Sequence, residues 1–197
     1  MPIIEFASLE LIPPYSLESV PLSKLFHRLS SRQAAYSGYP LIFFADTISP
    51  FILYTVSGWH SVEANLTWIA SEENGELLRS FEPFLKVKTL VHLNMDFDDI
   101  PRGCKGMVCV KCNNFNDLRE YIEVEETRGE EDGEASSEGS GPASLTLFGQ
   151  DVDPLSDAVY RFTVCENIAF DNSVQPRARR NGLGEVIAMR RITVPRS

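Results

Sequence analysis

Apolar side chains alternate along Ile3 to Leu11, with Ile4 and Phe6 on one face and Ala7, Leu9 and Leu11 on the other. A period of two predicts a strand, and Pro13-Pro14 ends it. Leu22, Leu25, Phe26 and Leu29 follow i, i+3, i+4, i+7, the single apolar stripe of a helix, which Ser37-Gly38 closes because glycine accepts the left-handed cap. The runs 41–46 (LIFFAD) and 51–57 (FILYTVS) predict two strands joined by a short link ending in Pro50. Ser61 suits the N-cap of a second helix, with a stripe of Val62, Leu66, Ile69, Leu77, Phe81 and Phe84. Asn74-Gly75 predicts a break in it, and Pro83 marks its end. Residues 87–97 (VKTLVHLNMDF) predict a fourth strand. The order β-α-β-β-α-β is that of a ferredoxin-like unit. One face of its sheet packs on the helices, and the other needs a cover.

The second half has weaker periodicity. Residues 105–112 read as a strand and 117–127 as a short helix. The stretch 128–144 is acidic, rich in Gly and Ser and nearly devoid of apolar residues. It cannot offset its ordering entropy, which predicts disorder. LTLFGQDV, AVYRFTVCENI and GEVIAMRRITV follow as strand candidates. The division expected is a ferredoxin-fold half over 1–100 and, over 101–197, either a degenerate second half or an extension. In the degenerate half, the loop 171–183 would stand for the missing second helix. The fold class expected is α+β, an α+β barrel whose two sheets belong to one chain or to two. The expected state is accordingly a monomer with an internal barrel or a homodimer.

Composition narrows the partners. The formal net charge of -10 gives no general attraction to nucleic acid or to anionic membranes. No run of about 18 apolar residues predicts a membrane span. The opening MPIIEFASLELIPPY has no basic region, and Glu5 and Glu10 interrupt it, unlike a secretory signal. Reduced cysteines and a cytoplasmic location are the expectation.

The stretch SGWHSVEANLTWIASEENGELLRSFEPFL (57–85), the following VHLNMDF (91–97) and the preceding YSGYPLIFF (36–44) together resemble the antibiotic biosynthesis monooxygenase-like family. This family belongs to the dimeric α+β barrel superfamily, and the form is the one common among fungal proteins. The resemblance covers about residues 3–100. It implies the barrel fold and a range of activities: cofactor-free oxygenases acting on aromatic polyketides, haem-degrading enzymes, decarboxylases, isomerases and proteins with none known. A shared fold does not carry a shared reaction. Two positions depart from the resemblance. Many relatives have a histidine where this chain has Asn65. The place implied for the iron-ligating histidine of haem-degrading relatives holds Leu78, so haem iron would lack that axial imidazole.

His92, with an ordinary pKa of about 6.5, is the candidate catalytic residue, as a general base or as an orienter of a substrate oxygen; the other reading is a structural histidine hydrogen-bonded at the sheet face. Strand alternation sets it with Asn94 and Asp96, opposite Val91, Leu93 and Met95. Tyr54, Trp59, Trp68 and Asn94 are candidate substrate-binding residues, the tryptophans as walls of an aromatic pocket or as packing. The pocket expected lies between the sheet and the two helices of the first half. His27 and His60 read as solvated. CVKC (109–112) invites a metal or redox reading, but residues i and i+3 of a strand point to opposite faces, so no metal site is expected. PRARR (176–180) reads as a solvated basic loop. The chain has no G-x-S-x-G, phosphate loop or H-E-x-x-H, which removes the common hydrolases, nucleotide enzymes and zinc proteases. Two functions fit: a monooxygenase-like enzyme of secondary metabolism, without a cofactor, acting on an apolar aromatic molecule of the polyketide type, or a non-catalytic barrel that binds a ligand or a protein.

Overall fold

The computed structural model describes residues 1–131, 145–165 and 184–193, with side chains of 124–131 left aside. The first half runs β1 (Ile3–Leu11), α1 (Val20–Ser37), β2 (Leu41–Asp46), β3 (Ile52–Trp59), α2 (Val62–Ile69), α3 (Glu72–Phe81) and β4 (Leu85–Leu93). The second runs β5 (Gly106–Cys112), α4 (Phe115–Glu131), β6 (Leu145–Gln150), β7 (Val159–Cys165) and β8 (Glu185–Ile192). Gly38 closes α1 with φ 81°, a left-handed conformation that glycine adopts without a Cβ penalty.

The eight described strands lie in one antiparallel sheet of order β4-β1-β3-β2-β8-β5-β7-β6. The halves have the same internal order: β4-β1-β3-β2 in one, β8-β5-β7-β6 in the other. The second half thus repeats the strand order of the first. β2 pairs with β8 to join them. At the opposite edge a bridge between Leu93 and Asp151 closes the sheet into a barrel. There Asn94 N–H donates to Gln150 O at 3.0 Å and Val152 N–H to His92 O at 2.9 Å. The Asn94 side-chain oxygen also accepts from Gln150 N–H at 2.6 Å. Gly149 lets this seam close, because a Cβ there would stand 2.5 Å from Met95 Sδ.

Strand alternation divides the core in two. Ile4, Phe6, Tyr54, Val56, Leu93 and Met95 face the barrel interior with Met107, Cys109, Tyr160 and Phe162. Phe6 stacks on Tyr54 at 5.7 Å and meets Phe162 edge-on at 5.5 Å, so aromatic rings from both halves fill the centre. On the outside, Leu9, Leu11, Leu53 and Phe43 pack against Leu22 and Phe26 of α1 and Phe81 of α3. Burial of these apolar faces is the main favourable term.

The expected break at Asn74-Gly75 falls earlier, at Ala70-Ser71. Ser71 Oγ donates to Trp68 O at 2.7 Å and accepts from Asn74 N–H at 3.2 Å. It therefore ends α2 and caps α3, and Asn74-Gly75 lies in the first turn of α3. Leu66, placed in the apolar stripe, is exposed, and Asn65 beside it is buried. The fourth strand stops at Leu93 and a short 3-10 turn follows over Phe97–Asp99. α4 runs to Glu131, past the expected end at 127 and into the stretch read as disordered. The rest of that stretch, the loop 171–183 and PRARR lie outside the described residues. No described helix is long and apolar enough to cross a membrane.

Candidate functional site

Five polar side chains form a chain across the outer face of the first half. His92 of β4 and Ser57 of β3 both lie opposite Glu5 of β1 in the strand register. All three therefore point to the helices. Asn65 on α2 reaches down between them: Ser61 caps that helix by accepting from Ala64 N–H at 3.1 Å, which sets Asn65 one turn in. Asn65 Nδ2 donates to Glu5 Oε2 at 2.6 Å, and Asn65 Oδ1 lies 2.6 Å from His92 Nε2. At the other end Trp59 Nε1 donates to Ser57 Oγ at 3.0 Å, and Ser57 Oγ donates to Glu5 Oε1 at 3.5 Å.

The chain is dry along most of its length. Asn65 and Ser57 have no exposed surface and Glu5 retains 8%. Burial pushes the Glu5 carboxyl up, against the opposing pull of the bonds from Asn65 and Ser57. His92 is half-buried. Burial lowers its pKa, and the Asp151 carboxylate across the seam partly offsets this. The amide nitrogen of Asn65 faces Glu5 and its oxygen, which can only accept, faces His92. His92 Nε2 must then carry the proton, which leaves Nδ1 as the basic nitrogen.

The predicted site residues separate. His92 and Trp59 belong to this polar chain. Trp59 and Trp68 are both buried with Ile3 and Leu77 in a small outer cluster, and the half-exposed Tyr36 lies against Trp68 at 5.0 Å between ring centres. These side chains occupy the space expected as a pocket. Tyr54 faces the barrel interior instead, its hydroxyl donating to Asp46 Oδ2 at 2.9 Å. Burial, then the Asp46 charge, raises the Tyr54 phenol well above its ordinary range. Asn94 is taken up by the barrel seam. The residues that spacing did not single out are Glu5, Asn65 and Ser57. The available signal was Glu5, a carboxylate in the row of Ile3, Ala7, Leu9 and Leu11.

Other chemistry finds little support. Cys109 faces the barrel interior and Cys112 packs outside against Leu118, so the two thiols diverge. Among the described residues no three His, Cys, Asp or Glu side chains are grouped to hold a metal ion. Leu78 is 44% exposed on α3 and has no donor atom for haem iron. A separate cleft of about 370 Å3 lies between α1, β2 and β8, bordered by His27, Ser30, Ser31 and Arg191.

No family model matches the chain, and no curated protein matches it. Solved structures do. A protein named "Putative monooxygenase" from Fusobacterium nucleatum is 10% identical, with TM-score 0.58 over 98% of this chain and 93% of its own. An anthrone oxidase-like protein is 10% identical, with TM-score 0.53 over 97% and 92%. A chlorite dismutase from Candidatus Nitrospira defluvii is 11% identical, with TM-score 0.52 over 98% and 92%. At such identities the likeness is one of fold. Because it extends over nearly the whole chain, both halves share in it, and the chain has the α+β barrel fold of these proteins.

Proposed function

We propose that the protein is a cofactor-independent oxygenase that acts on an apolar aromatic ketone of the polyketide type, with His92 as general base. The observation that carries this reading is the His92–Asn65 contact, which leaves Nδ1 unprotonated at the half-buried end of an otherwise dry polar chain. Leu90 lies two residues before His92 on the same strand face, and Leu66 follows Asn65. Both are exposed, and each offers apolar surface to a flat ring. The fold shared with the anthrone oxidase-like protein is consistent with such a substrate.

The chemistry suits one imidazole. Nδ1 removes a proton from a ring methylene made acidic by the conjugated ketone. The resulting carbanion supplies electrons to O2 and a carbon–oxygen bond forms. Loss of the second methylene proton, with cleavage of the oxygen–oxygen bond, leaves a new carbonyl and releases water. One oxygen atom stays in the product and the other leaves with both hydrogens. The division of labour proposed is a catalytic half over 1–100 and a covering half over 101–197. Trp59 and Trp68 pack behind the site; Tyr54 and Asn94 serve the barrel rather than the substrate.

The second reading, a non-catalytic barrel that binds a ligand or a protein, draws on the filled interior and on the packed tryptophans. Oxygen uptake with anthrone as the probe separates the two. The enzyme reading expects uptake above the buffer rate and a fall of about 10²-fold or more in His92→Ala, the usual contribution of a general base. Uptake equal to buffer, or equal in both proteins, would favour the binding role.

A further inference from the structure

The polar chain continues behind His92, and its far end has no part in the reaction described above. Glu5 is a carboxylate on the apolar face of β1, 8% exposed, where the neighbouring outward positions are Ile3, Ala7 and Leu9. Burying a carboxyl there costs several kcal/mol unless it is well partnered. Its partners are specific. Oε2 accepts from Asn65 Nδ2 at 2.6 Å, and Oε1 accepts from Ser57 Oγ at 3.5 Å. Asn65 is wholly buried and has one further contact, the 2.6 Å bond to His92. An amide has two nearly equivalent orientations, and only its partners choose between them. Glu5 is the partner that chooses here.

We infer that Glu5 is a positioning residue: by holding the Asn65 amide nitrogen it turns the amide oxygen to His92, fixes the Nε2–H tautomer and keeps Nδ1 free as the base. The inference rests on the reading of His92 as that base. Without the Glu5 acceptor, Asn65 can rotate and offer its NH2 group to His92. Nε2 would then become the acceptor and Nδ1 would carry the proton. The base would be lost with every reacting residue still present. Glutamine at position 5 keeps an oxygen acceptor for Asn65 and removes the charge, with its NH2 group facing Ser57 in place of Oε1, so it separates the Asn65 contact from electrostatics.

The test is the tautomer of His92 read by 15N–1H correlation of the imidazole in substrate-free protein, for wild type, Glu5→Leu and Glu5→Gln. The expected result is one Nε2–H tautomer in wild type, an Nδ1–H or mixed state in Glu5→Leu, and return of the Nε2–H state in Glu5→Gln. Anthrone-dependent oxygen uptake should follow the same pattern, with a loss of about tenfold or more in Glu5→Leu. A wild-type protein with the Nδ1–H form or a mixture overturns the inference, and so does a Glu5→Leu protein with an unchanged tautomer. The wild-type spectrum alone can therefore refute it if Glu5→Leu does not fold. Because no substrate enters the spectral measurement, an Nε2–H wild type that takes up no oxygen counts against the oxygenase reading and not against the role of Glu5.

Discussion

Replacing Asn65 by leucine tests the polar chain as an energetic unit. The two side chains have the same branched shape and number of heavy atoms, and leucine is the larger, so the change removes hydrogen bonds without opening a cavity. Two bonds of 2.6 Å are lost, one to Glu5 and one to His92. A net hydrogen bond contributes about 1 kcal/mol, and a buried acceptor left without a partner costs a further 1–3 kcal/mol or so. Glu5 Oε2 becomes such an acceptor, because Ser57 holds only Oε1. The His92 end is half-buried, and water can replace its lost partner. The expected destabilisation is therefore about 2–4 kcal/mol. For a domain of this size each kcal/mol moves the melting temperature by roughly 2–4 °C, so a fall of about 5–15 °C is expected in calorimetry. The double variant Glu5→Leu/Asn65→Leu should recover part of it, since removing both partners leaves no orphaned carboxyl. A single variant within about 0.5 kcal/mol of wild type, the scatter of ordinary surface changes, would show that the Glu5–Asn65–His92 contacts do not form as described.

Gly149→Ala should lower stability by about 1–3 kcal/mol, the usual cost of overpacking, since the new methyl group would meet Met95 Sδ at 2.5 Å; urea denaturation will measure it. Glu5 has a folded pKa above its ordinary 4.5, so it contributes stability fully present below that value and lost as pH rises through the folded one. Glu5→Gln should flatten the fall in stability as pH rises above 4.5, and an unchanged slope would count against a buried, protonatable Glu5. His92 shifts the opposite way, downward from 6.5, so its contribution is present above that value and fades as pH falls through the folded one. His92→Gln should lessen the loss of stability on acidification, followed by melting temperature. Light scattering should return the mass of one chain, 22.1 kDa, at all concentrations, because β2–β8 pairing and the Leu93–Asp151 bridge close the barrel internally; a dimer built through the first halves would refute this.

The strands were legible because period-two alternation records which face is buried. Ile4 and Phe6 against Ala7, Leu9 and Leu11 already separate the barrel interior from the helix side. The alternation of β4 likewise opposed His92 to Leu93 and Met95, but it could not tell which face met the helices. That depends on what lies across the barrel: Leu93 and Met95 join Tyr160 and Phe162 of the second half, and no local pattern reports such a distant contact. The helix break was misplaced because Asn74-Gly75 looks like the weak point by propensity. A side-chain cap overrode it, since Ser71 satisfies backbone groups on both sides. Asn65 was illegible for a different reason. A buried polar residue breaks the apolar stripe, and periodicity then selects the exposed Leu66 in its place. Only Glu5 across the sheet explains why an amide occupies that position.

The two halves of the barrel bear on whether the polar chain is merely part of the architecture. They have the same strand order, so a requirement of the fold should appear in both. The outward rows of the second half, read across β7, β5 and β8, are Cys165–Gly106–Arg190, Thr163–Val108–Ala188 and Arg161–Val110–Val186. None pairs a carboxyl with an imidazole, whereas the first half sets Ser57, Glu5 and His92 in one row. Val110 and Cys112 instead pack outward on Leu118 in an apolar cluster. The second half therefore reaches the same strand order with apolar burial beneath α4. The barrel does not need a buried acid on its outer face, and such a group is costly to keep there. Among the described residues the cost falls on one half only, where the chain of bonds ends on a half-buried histidine. That asymmetry is expected of a site and not of a scaffold. Among the described residues it leaves one place for the proposed base, on the face of β1 and β4 beneath α2.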